Sequence, residues 1–361
     1  MNASGERTAE WKRGGEAPGG HGECDVLCAG ILVADLFSSP LPEMPPAGGL
    51  ALVDRVYPSP GGCAANTAVC LRKCGARVAL AGKVGRDVLG DYVVRALSEQ
   101  GVDTAGVCRS ASLPTSSTMI IPVHGEDRRY IHAPGANTEL GAEDVSRVLA
   151  ARCRALYLGG FLLQPLLDPE SVGGLFAAAR ARGALTALDV IVPAGSGPEE
   201  GCSQGPEESP APGPAPIPEL ESVLGPVLPH TDLFLPNRDE AAALTGTPDP
   251  CRQAEIFTDL GAGTVAVTMG AEGAVLRSGG QTLRAPVYPV EVVDPSGAGD
   301  AFDAGFIWGM LQGWDLERTA AFASALGASA CTALGCTGGV LTGPEALAFI
   351  ERNPLRIDRG S

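Results

Sequence analysis

The feature that most constrains the fold of this chain is a repeated alternation of short apolar runs and helix-like stretches, which begins at Val26. Continuous apolar runs are typical of strands that are buried on both faces of a sheet. The strand-like runs are Val26–Val33, Val78–Ala81, Ala155–Leu158, Leu185–Val190, Leu233–Leu235 and Thr264–Thr268. The helix-like stretches between them are Ala64–Cys74, Leu89–Gln100, Ala142–Ala151, Pro169–Arg182, Arg238–Thr245 and Cys251–Leu260. Strands that alternate with helices form βαβ units, so the pattern predicts a three-layer α/β fold with a mostly parallel central sheet.

Two regions interrupt this alternation, at about residues 50–58 and 115–133, where strand-like pieces occur with few helices nearby. The second region contains a turn-forming segment, His124–Arg128, between two apolar runs, which is typical of a β-hairpin. We interpret these strands as a small lid sheet over an active site. The alternative is that they extend the edge of the main sheet.

Two further segments have compositions that do not favour folding. Residues 1–23 are polar and glycine-rich and lack the apolar core of a signal peptide. The stretch Pro193–Pro229 holds ten of the 30 prolines, and we predict a disordered surface insertion at about 194–218. The sequence therefore predicts a disordered N-terminal tail, 1–23, followed by one folded domain, 24–361.

Charge and cysteine content limit the partners of this domain. The 26 basic and 42 acidic residues give a net charge of −16, and such a surface repels nucleic acid and anionic membranes. Eleven cysteines, an odd number scattered through a long chain, favour the reduced cytoplasm over a secreted disulfide framework. The charge-free stretch Thr319–Pro344 is rich in small residues, so we expect a buried pair of helices there and no membrane span.

The segment that points most directly to chemistry is Val292–Met310, in which an apolar run leads through a loop of small residues into a helix. Gly297, Ala298 and Gly299 leave their backbone amides uncovered. These amides and the positive end of the helix form a cradle suited to a phosphate. Asp300 lies one position further, where a carboxylate can accept the proton of an attacking hydroxyl. The alternative role for Asp300 is that of a helix cap.

A second loop of small residues, beginning at Gly61, also opens a helix. Gly61 and Gly62 allow a ligand to approach the backbone closely. We expect Asn66, in the first turn of that helix, to point toward the same opening. Further along, Asp87 is expected to cap the next helix.

A third segment places Asn237 and Glu240 three residues apart, directly after a strand. The two side chains form either an oxygen-rich edge for hydrated Mg²⁺ or a capping box at the start of a helix. A fourth pattern, Gly261–Ala266, matches a dinucleotide-binding signature. It precedes a strand instead of joining a strand to a helix, so it does not support an NAD-dependent enzyme.

Together the first three segments resemble the signatures of the PfkB/ribokinase-like family of carbohydrate and nucleoside kinases. The first family signature corresponds to Gly61–Gly90 and the second to Asp294–Phe306, and the resemblance runs from about Asp25 to Phe349. It implies a ribokinase-like α/β/α fold and an ATP-dependent kinase that phosphorylates a hydroxymethyl group of a sugar. Two alternatives stay open: a nucleoside kinase of the same family, and a non-catalytic ligand-binding protein on the same fold.

The resemblance also implies roles for individual residues. It assigns a catalytic base and an anion hole to Asp300, Gly297, Ala298 and Gly299. It assigns the sugar to an acid at the end of the first strand and to the substrate loop: Asp35, Gly61, Gly62 and Asn66. Mg²⁺ and phosphate are assigned to Asn237 and Glu240, and the ATP nucleotide to Thr268, Gly270 and Gly273.

Two further implications concern a cation and a second subunit. In some family members a monovalent cation such as K⁺ is bound by backbone carbonyls at positions that correspond to Ala330 and Gly335, together with Asp294 and Ser296. This chain departs from the family there, because Pro295 replaces the usual threonine and so removes a hydroxyl and an N–H. Lid-mediated dimers occur in the family, and the resemblance therefore implies a homodimer through the lid.

Overall fold

The centre of the molecule is a sheet of ten strands, accompanied by a sheet of four, in the residues that the computed structural model describes: 23–125, 128–149, 152–192 and 220–359. The strands of this part of the chain are β1 (Glu23–Gly30), β2 (Val33–Ser38), β3 (Val56–Gly61), β4 (Val78–Val84), β5 (Val107–Arg109), β6 (Ser117–Ile121), β7 (Arg129–Ala133), β8 (Arg152–Phe161), β9 (Leu185–Val190), β10 (Leu233–Phe234), β11 (Thr264–Thr268), β12 (Ala274–Ser278), β13 (Gln281–Ala285) and β14 (Asp358–Arg359). Its α-helices are α1 (Cys63–Lys73), α2 (Val88–Glu99), α3 (Ala142–Leu149), α4 (Pro169–Ala181), α5 (Leu220–Leu224), α6 (Arg238–Thr245), α7 (Pro250–Asp259), α8 (Ala298–Leu311), α9 (Leu316–Ala330) and α10 (Gly343–Arg352).

The large sheet has the strand order β14-β13-β12-β11-β10-β9-β8-β1-β4-β5. The seven strands β11-β10-β9-β8-β1-β4-β5 are all parallel to their neighbours. Strands β12, β13 and β14 extend the β11 edge in antiparallel pairs. Parallel neighbours need long crossover connections, which the intervening helices provide. The prediction of a three-layer α/β fold with a mostly parallel sheet is confirmed.

Helices cover both faces of the large sheet because successive residues of a strand point to opposite sides. Val26 and Cys28 of β1 belong to the same buried cluster as residues of α1, α8 and α9. Leu27 and Ala29 belong to the cluster on the other face, which contains residues of α3, α4 and α7. These four residues are fully buried, which explains why β1 is apolar without interruption from Val26 to Ala29.

Aspartate side chains mark the starts of several helices. Asp87, Asp168, Asp249 and Asp315 precede α2, α4, α7 and α9, and each accepts a hydrogen bond from a backbone N–H of the first turn. Such bonds satisfy amides that have no partner within the helix. The prediction that Asp87 caps a helix is confirmed, since its carboxylate accepts from Gly90 N at 2.8 Å.

The four-stranded sheet, in the order β3-β2-β6-β7, contains both regions predicted as lid strands, together with β2, which was not predicted as part of the lid; this sheet is called the lid below. Strands β6 and β7 pair antiparallel, as expected of a hairpin, while β2 and β6 are parallel. Two details of the strand prediction were wrong. The run Val26–Val33 is divided at Gly30, whose φ of 135° ends β1. Strand β3 begins only at Val56, after a segment in which Leu50 and Leu52 are exposed.

The charge-free stretch Thr319–Pro344 does not form the expected pair of helices. It contains most of α9, a loop and the first residues of α10, and α9 packs against α8. Small residues permit this close contact, since a Cβ on Gly305 would lie 2.7 Å from Ala323 Cα. Within the described ranges, no helix has both the length and the hydropathy needed to cross a membrane.

Two sequence predictions lie outside the described residues. They are the N-terminal tail, of which only Glu23 is described, and the insertion at about 194–218, which falls between β9 and α5. The domain boundaries and the homodimer through the lid stay predictions.

Candidate active site

The first turn of α8 has the backbone conformation that an anion cradle requires. Gly297, at its N-terminal boundary, is in the left-handed region with φ 76° and ψ 4°. A Cβ at this position would lie 2.3 Å from Cys336 O, so only glycine fits. The first bond back along the helix joins Ala301 N–H to Gly297 O at 2.9 Å, and the amides before it have no helical acceptor. Of these, Ala298 N–H makes a long contact of 3.3 Å with Pro295 O.

Asp300 is joined directly to the early glycine loop, although the two are far apart in sequence. Asn66 Nδ2 donates to Asp300 Oδ2 at 2.9 Å across a separation of 234 residues. Its neighbour Thr67 donates through Oγ1 to Asp300 O at 3.3 Å. Both residues are buried in α1, whose first turn therefore faces the first turn of α8. The structure thus brings the two predicted loops to one place.

The environment of Asp300 sets its acidity. Burial raises the pKa of its carboxyl to about 6, because a charged carboxylate is less stable away from water. The hydrogen bonds from Asn66 and from the Cys63 thiol act in the opposite direction, since they stabilise the charged form. A carboxyl with this pKa is ionised at neutral pH and is basic enough to accept a proton.

Asp35 lies in the middle of β2 in the lid, and its placement at the end of the first strand was wrong. The division of the apolar run at Gly30 accounts for the difference. Asp35 is only 7% exposed, and burial raises the pKa of its carboxyl to about 6. The negative charge of Asp300 raises this pKa further, whereas a hydrogen bond from Thr118 lowers it. A Cβ at Gly61 would lie 1.9 Å from Asp35 Oδ2, so a larger residue there would displace the Asp35 carboxylate.

A cavity of about 430 Å³ opens beside the first turn of α8. The predicted nucleotide residues Thr268, Gly270 and Gly273 line one wall, and Ala298 and Gly299 line another. Most of the remaining wall is apolar and comes from α8, α9 and the segment after β13: Val287, Tyr288, Val290, Phe302 and Ala328. An apolar slot that leads to helix N-terminal amides suits a ligand with a flat ring at one end and a phosphate at the other.

Asn237 and Glu240 form a capping box at the start of α6. Asn237 Oδ1 accepts from the backbone N–H of Asp239 and of Glu240, both at 2.9 Å, and Glu240 Oε2 accepts from Asn237 N at 2.9 Å. Burial raises the pKa of Glu240 to about 7. Of the two predicted roles, the structure therefore shows the capping box. Only the second carboxylate oxygen of Glu240 is left to contact a hydrated ion.

The residues predicted to hold a monovalent cation surround a buried carboxylate that already has a cationic partner. Asp294 is 4% exposed, and its Oδ1 accepts from Arg128 Nη1 and from Ser296 N. Its Oδ2 accepts from Gly335 N at 3.0 Å. Arg128 also donates to Ser296 Oγ. Because a guanidinium and a second cation repel each other, this arrangement does not fit a bound K⁺.

Sequence reasoning missed two buried acids near Asp300. Asp189 is the next-to-last residue of β9, and its Oδ2 accepts from Gly160 N at 3.0 Å. Asp303 lies one helical turn after Asp300 and accepts from Tyr157 Oη at 3.1 Å. Burial raises the pKa of both well above the usual range. The position of Asp189 was a usable signal, because ligands of α/β proteins bind where parallel strands end.

Comparisons with known proteins show similarity to one family over most of the chain. Residues 25–205 and 213–342 match the model of the pfkB family of carbohydrate kinases. A ribokinase from Haemophilus influenzae is 28% identical over 296 residues, which cover 81% of this chain and 87% of the relative. A deoxyribokinase from Salmonella typhi is 27% identical over 303 residues, 81% of this chain and 88% of the relative. A solved structure of a putative Ribokinase II from E. coli, in complex with ATP and Mg²⁺, has a TM-score of 0.74 at 25% identity and covers 91% of this chain and 99% of its own.

Proposed function

This chain belongs to the pfkB family of carbohydrate kinases, and from that membership we propose that it transfers a phosphoryl group from ATP to a hydroxymethyl group of a sugar. The relatives named ribokinase and deoxyribokinase support a sugar as the acceptor. So does Asp35, a buried carboxylate in the lid that can accept hydrogen bonds from hydroxyl groups.

The observation that carries the proposal is the hydrogen bond of 2.9 Å between Asn66 and Asp300. It joins the loop that resembles the family's substrate loop to the helix that begins at Gly297. An acceptor held near Asn66 and a phosphate held at the first turn of α8 would therefore meet at the Asp300 carboxylate. Positioning of this kind supplies much of the catalysis in phosphoryl transfer.

Asp300 acts in this proposal as the general base. With its pKa near 6, the carboxyl is charged at neutral pH and accepts the proton of the acceptor hydroxyl as that oxygen attacks. The hydrogen bond from Asn66 keeps one carboxylate oxygen oriented. The amides of Gly299 and Asp300, together with the helix dipole, stabilise negative charge on the transferred group.

The residues present fit ATP, and they fit Mg²⁺ only as an ion held mainly by phosphate and water. The apolar part of the cavity accommodates an adenine, and Gly299 at its end accommodates phosphates. Among the described residues no group of three or more metal-ligating side chains exists, and Glu240 has one oxygen free from the capping box. When bound, Mg²⁺ would neutralise phosphate charge, which is its usual role in such sites.

The experiment that tests the proposal measures ADP release with a panel of pentoses, hexoses, ketoses and nucleosides, with a reaction lacking acceptor as the control. We expect release with at least one sugar. ADP release with nucleosides alone would show that the protein is a nucleoside kinase and not a sugar kinase. Binding of a ligand without ADP release from any acceptor would identify a non-catalytic binding protein.

Replacement of Asp300 tests the role of the base. The variant D300N keeps the shape of the side chain but accepts no proton, and we expect turnover to fall by about 10²–10⁴-fold, the usual contribution of a general base. ATP affinity, measured by calorimetry, should stay near that of the wild type, because the amides are unchanged. Turnover close to that of the wild type would rule out Asp300 as the base.

A further inference from the structure

Arg128 connects the lid to the loop that precedes the anion cradle. It lies just before β7, at the end of the lid hairpin, and its guanidinium contacts the side chains of Asp294 and Ser296. These two residues lie three and one positions before Gly297, whose left-handed conformation starts α8. A group that holds both of them therefore fixes the backbone on which the cradle amides depend.

The contact also pairs the buried carboxylate of Asp294 with a cationic side chain. Asp294 is 4% exposed and Arg128 is 19% exposed, so both charges are largely removed from water. A buried carboxylate requires a cation or several donors, and here it has Arg128 together with the backbone amides of Ser296 and Gly335. Arginine suits this place because its planar guanidinium stays charged and presents several donors at once.

We propose that Arg128 supplies from within the chain the positive charge that a bound monovalent cation would otherwise supply to this loop, and that it positions the anion cradle. Arg128 is thus a positioning residue for the reaction under the proposed function, on which this inference rests. The neighbouring residues support this proposal, because both carboxylate oxygens of Asp294 and the hydroxyl of Ser296 already accept hydrogen bonds within the chain. Ala330, the fourth predicted ligand, is fully buried at the end of α9.

The test compares the wild type, R128Q and R129Q in KCl, NaCl and choline chloride at equal ionic strength. Arg129 is the next residue and is exposed on β7, so R129Q is a control that removes the same charge from the same hairpin. ADP release and the midpoint of thermal unfolding are measured, the latter without ATP or acceptor. The second readout does not depend on kinase activity, so a failure of the proposed function stays distinguishable from a failure of this inference.

We expect the wild type and R129Q to give the same turnover and midpoint in all three salts. R128Q should lose about 10²-fold in turnover in choline chloride, the usual effect of a small displacement in an active site. K⁺ or millimolar guanidinium ion should restore part of that turnover and raise the midpoint of R128Q specifically. If R128Q does not fold, R128K, which keeps the charge but not the planar fork, should fold, show reduced turnover and stay independent of K⁺.

Three results would overturn the inference. One is a wild type whose turnover or midpoint rises in K⁺ but not in choline. Another is an R128Q that behaves as R129Q does. The third is a loss in R128Q that neither K⁺ nor guanidinium ion restores in either readout, because a cation role for Arg128 requires that another cation can replace it.

Discussion

At the scale of single residues, the acidity of Asp300 is decided by neighbours that the chain folding brings together. Its position after Gly297–Gly299 left a base and a helix cap open, and the family resemblance favoured the base. Its pKa could not be predicted in the same way, because the shift depends on burial and on a donor 234 residues away. The same holds for Arg128, whose partner Asp294 is 166 residues further along the chain. Side-chain pairs of this kind leave no local pattern in the sequence.

The pKa of Asp300 predicts how activity depends on pH. A base must be ionised to act, so kcat/KM of the wild type should fall as the pH is lowered through about 6. The Asn66 hydrogen bond lowers the pKa of Asp300, and its removal in N66A should raise that pKa and move the acid limb to higher pH. The measurement is the pH profile of kcat/KM, whose shape does not depend on the absolute rate of the variant.

Thr67 provides the matched control for this profile. Its hydroxyl donates to the backbone oxygen of Asp300 and not to the carboxylate, so T67V should leave the position of the acid limb unchanged. Asp35 has a pKa of about 6 as well, so it could cause the same acid limb. If the limb belongs to Asp300, the D35N variant should keep it. An acid limb that disappears in D35N, or that stays in place in N66A, would assign the titration to a group other than Asp300.

At the scale of secondary-structure elements, the sequence predicted best where a pattern is local. Strands β9 and β11 and helix α6 were predicted with their observed bounds, because apolar runs and caps are read from adjacent residues. The break at Gly30 was missed, since the residues on both sides of it are equally apolar. The packing of α9 was missed as well. The sequence predicted a partner helix within Thr319–Pro344, whereas tertiary packing places α9 mainly against α8.

The first turn of α8 gives a prediction that separates folding from ligand binding. Alanine at position 297 would require a left-handed conformation, which costs roughly 1–2 kcal/mol, and would place a Cβ 2.3 Å from Cys336 O. G297A should therefore unfold at a lower temperature than the wild type. At position 299 a Cβ meets no atom within 4 Å, and alanine favours a helix over glycine by roughly 0.5–1 kcal/mol.

G299A should thus unfold at the same or a higher temperature than the wild type and yet bind ATP less well, because the new methyl group lies beside the cradle amides. Thermal unfolding and an ATP titration of both variants check this pair of expectations. Full ATP affinity in a stable G299A would mean that the phosphates do not lie at the first turn of α8.

At the scale of the whole molecule, the fold separates the two binding regions that we propose, one on each side of the first turn of α8. The proposed nucleotide cavity is lined by residues of β11–β13, α8, α9 and the loops next to them, and by none of the described residues of the lid. The residues that we propose for the acceptor, Asp35, Gly61 and Asn66, come from β2, β3 and α1, in the first third of the chain. The members of each group were proposed from sequence motifs, whereas their arrangement in space required the fold.

This separation predicts that the two ligands stabilise the protein independently. Saturating ATP should raise the unfolding temperature without an acceptor, since a ligand at about 100 times its Kd stabilises the native state by about 2.7 kcal/mol. Ala271 is exposed at the wall of the nucleotide cavity, so A271W should fold, fill the mouth of the cavity and lose the ATP shift. D35N, on the lid, should keep the ATP shift and lose the shift caused by the accepted sugar, because its amide is a weaker acceptor than a carboxylate. Loss of both shifts in either variant would show that the lid and the nucleotide cavity form a single binding region, and the assignment of Asp35 to the acceptor alone would then be wrong.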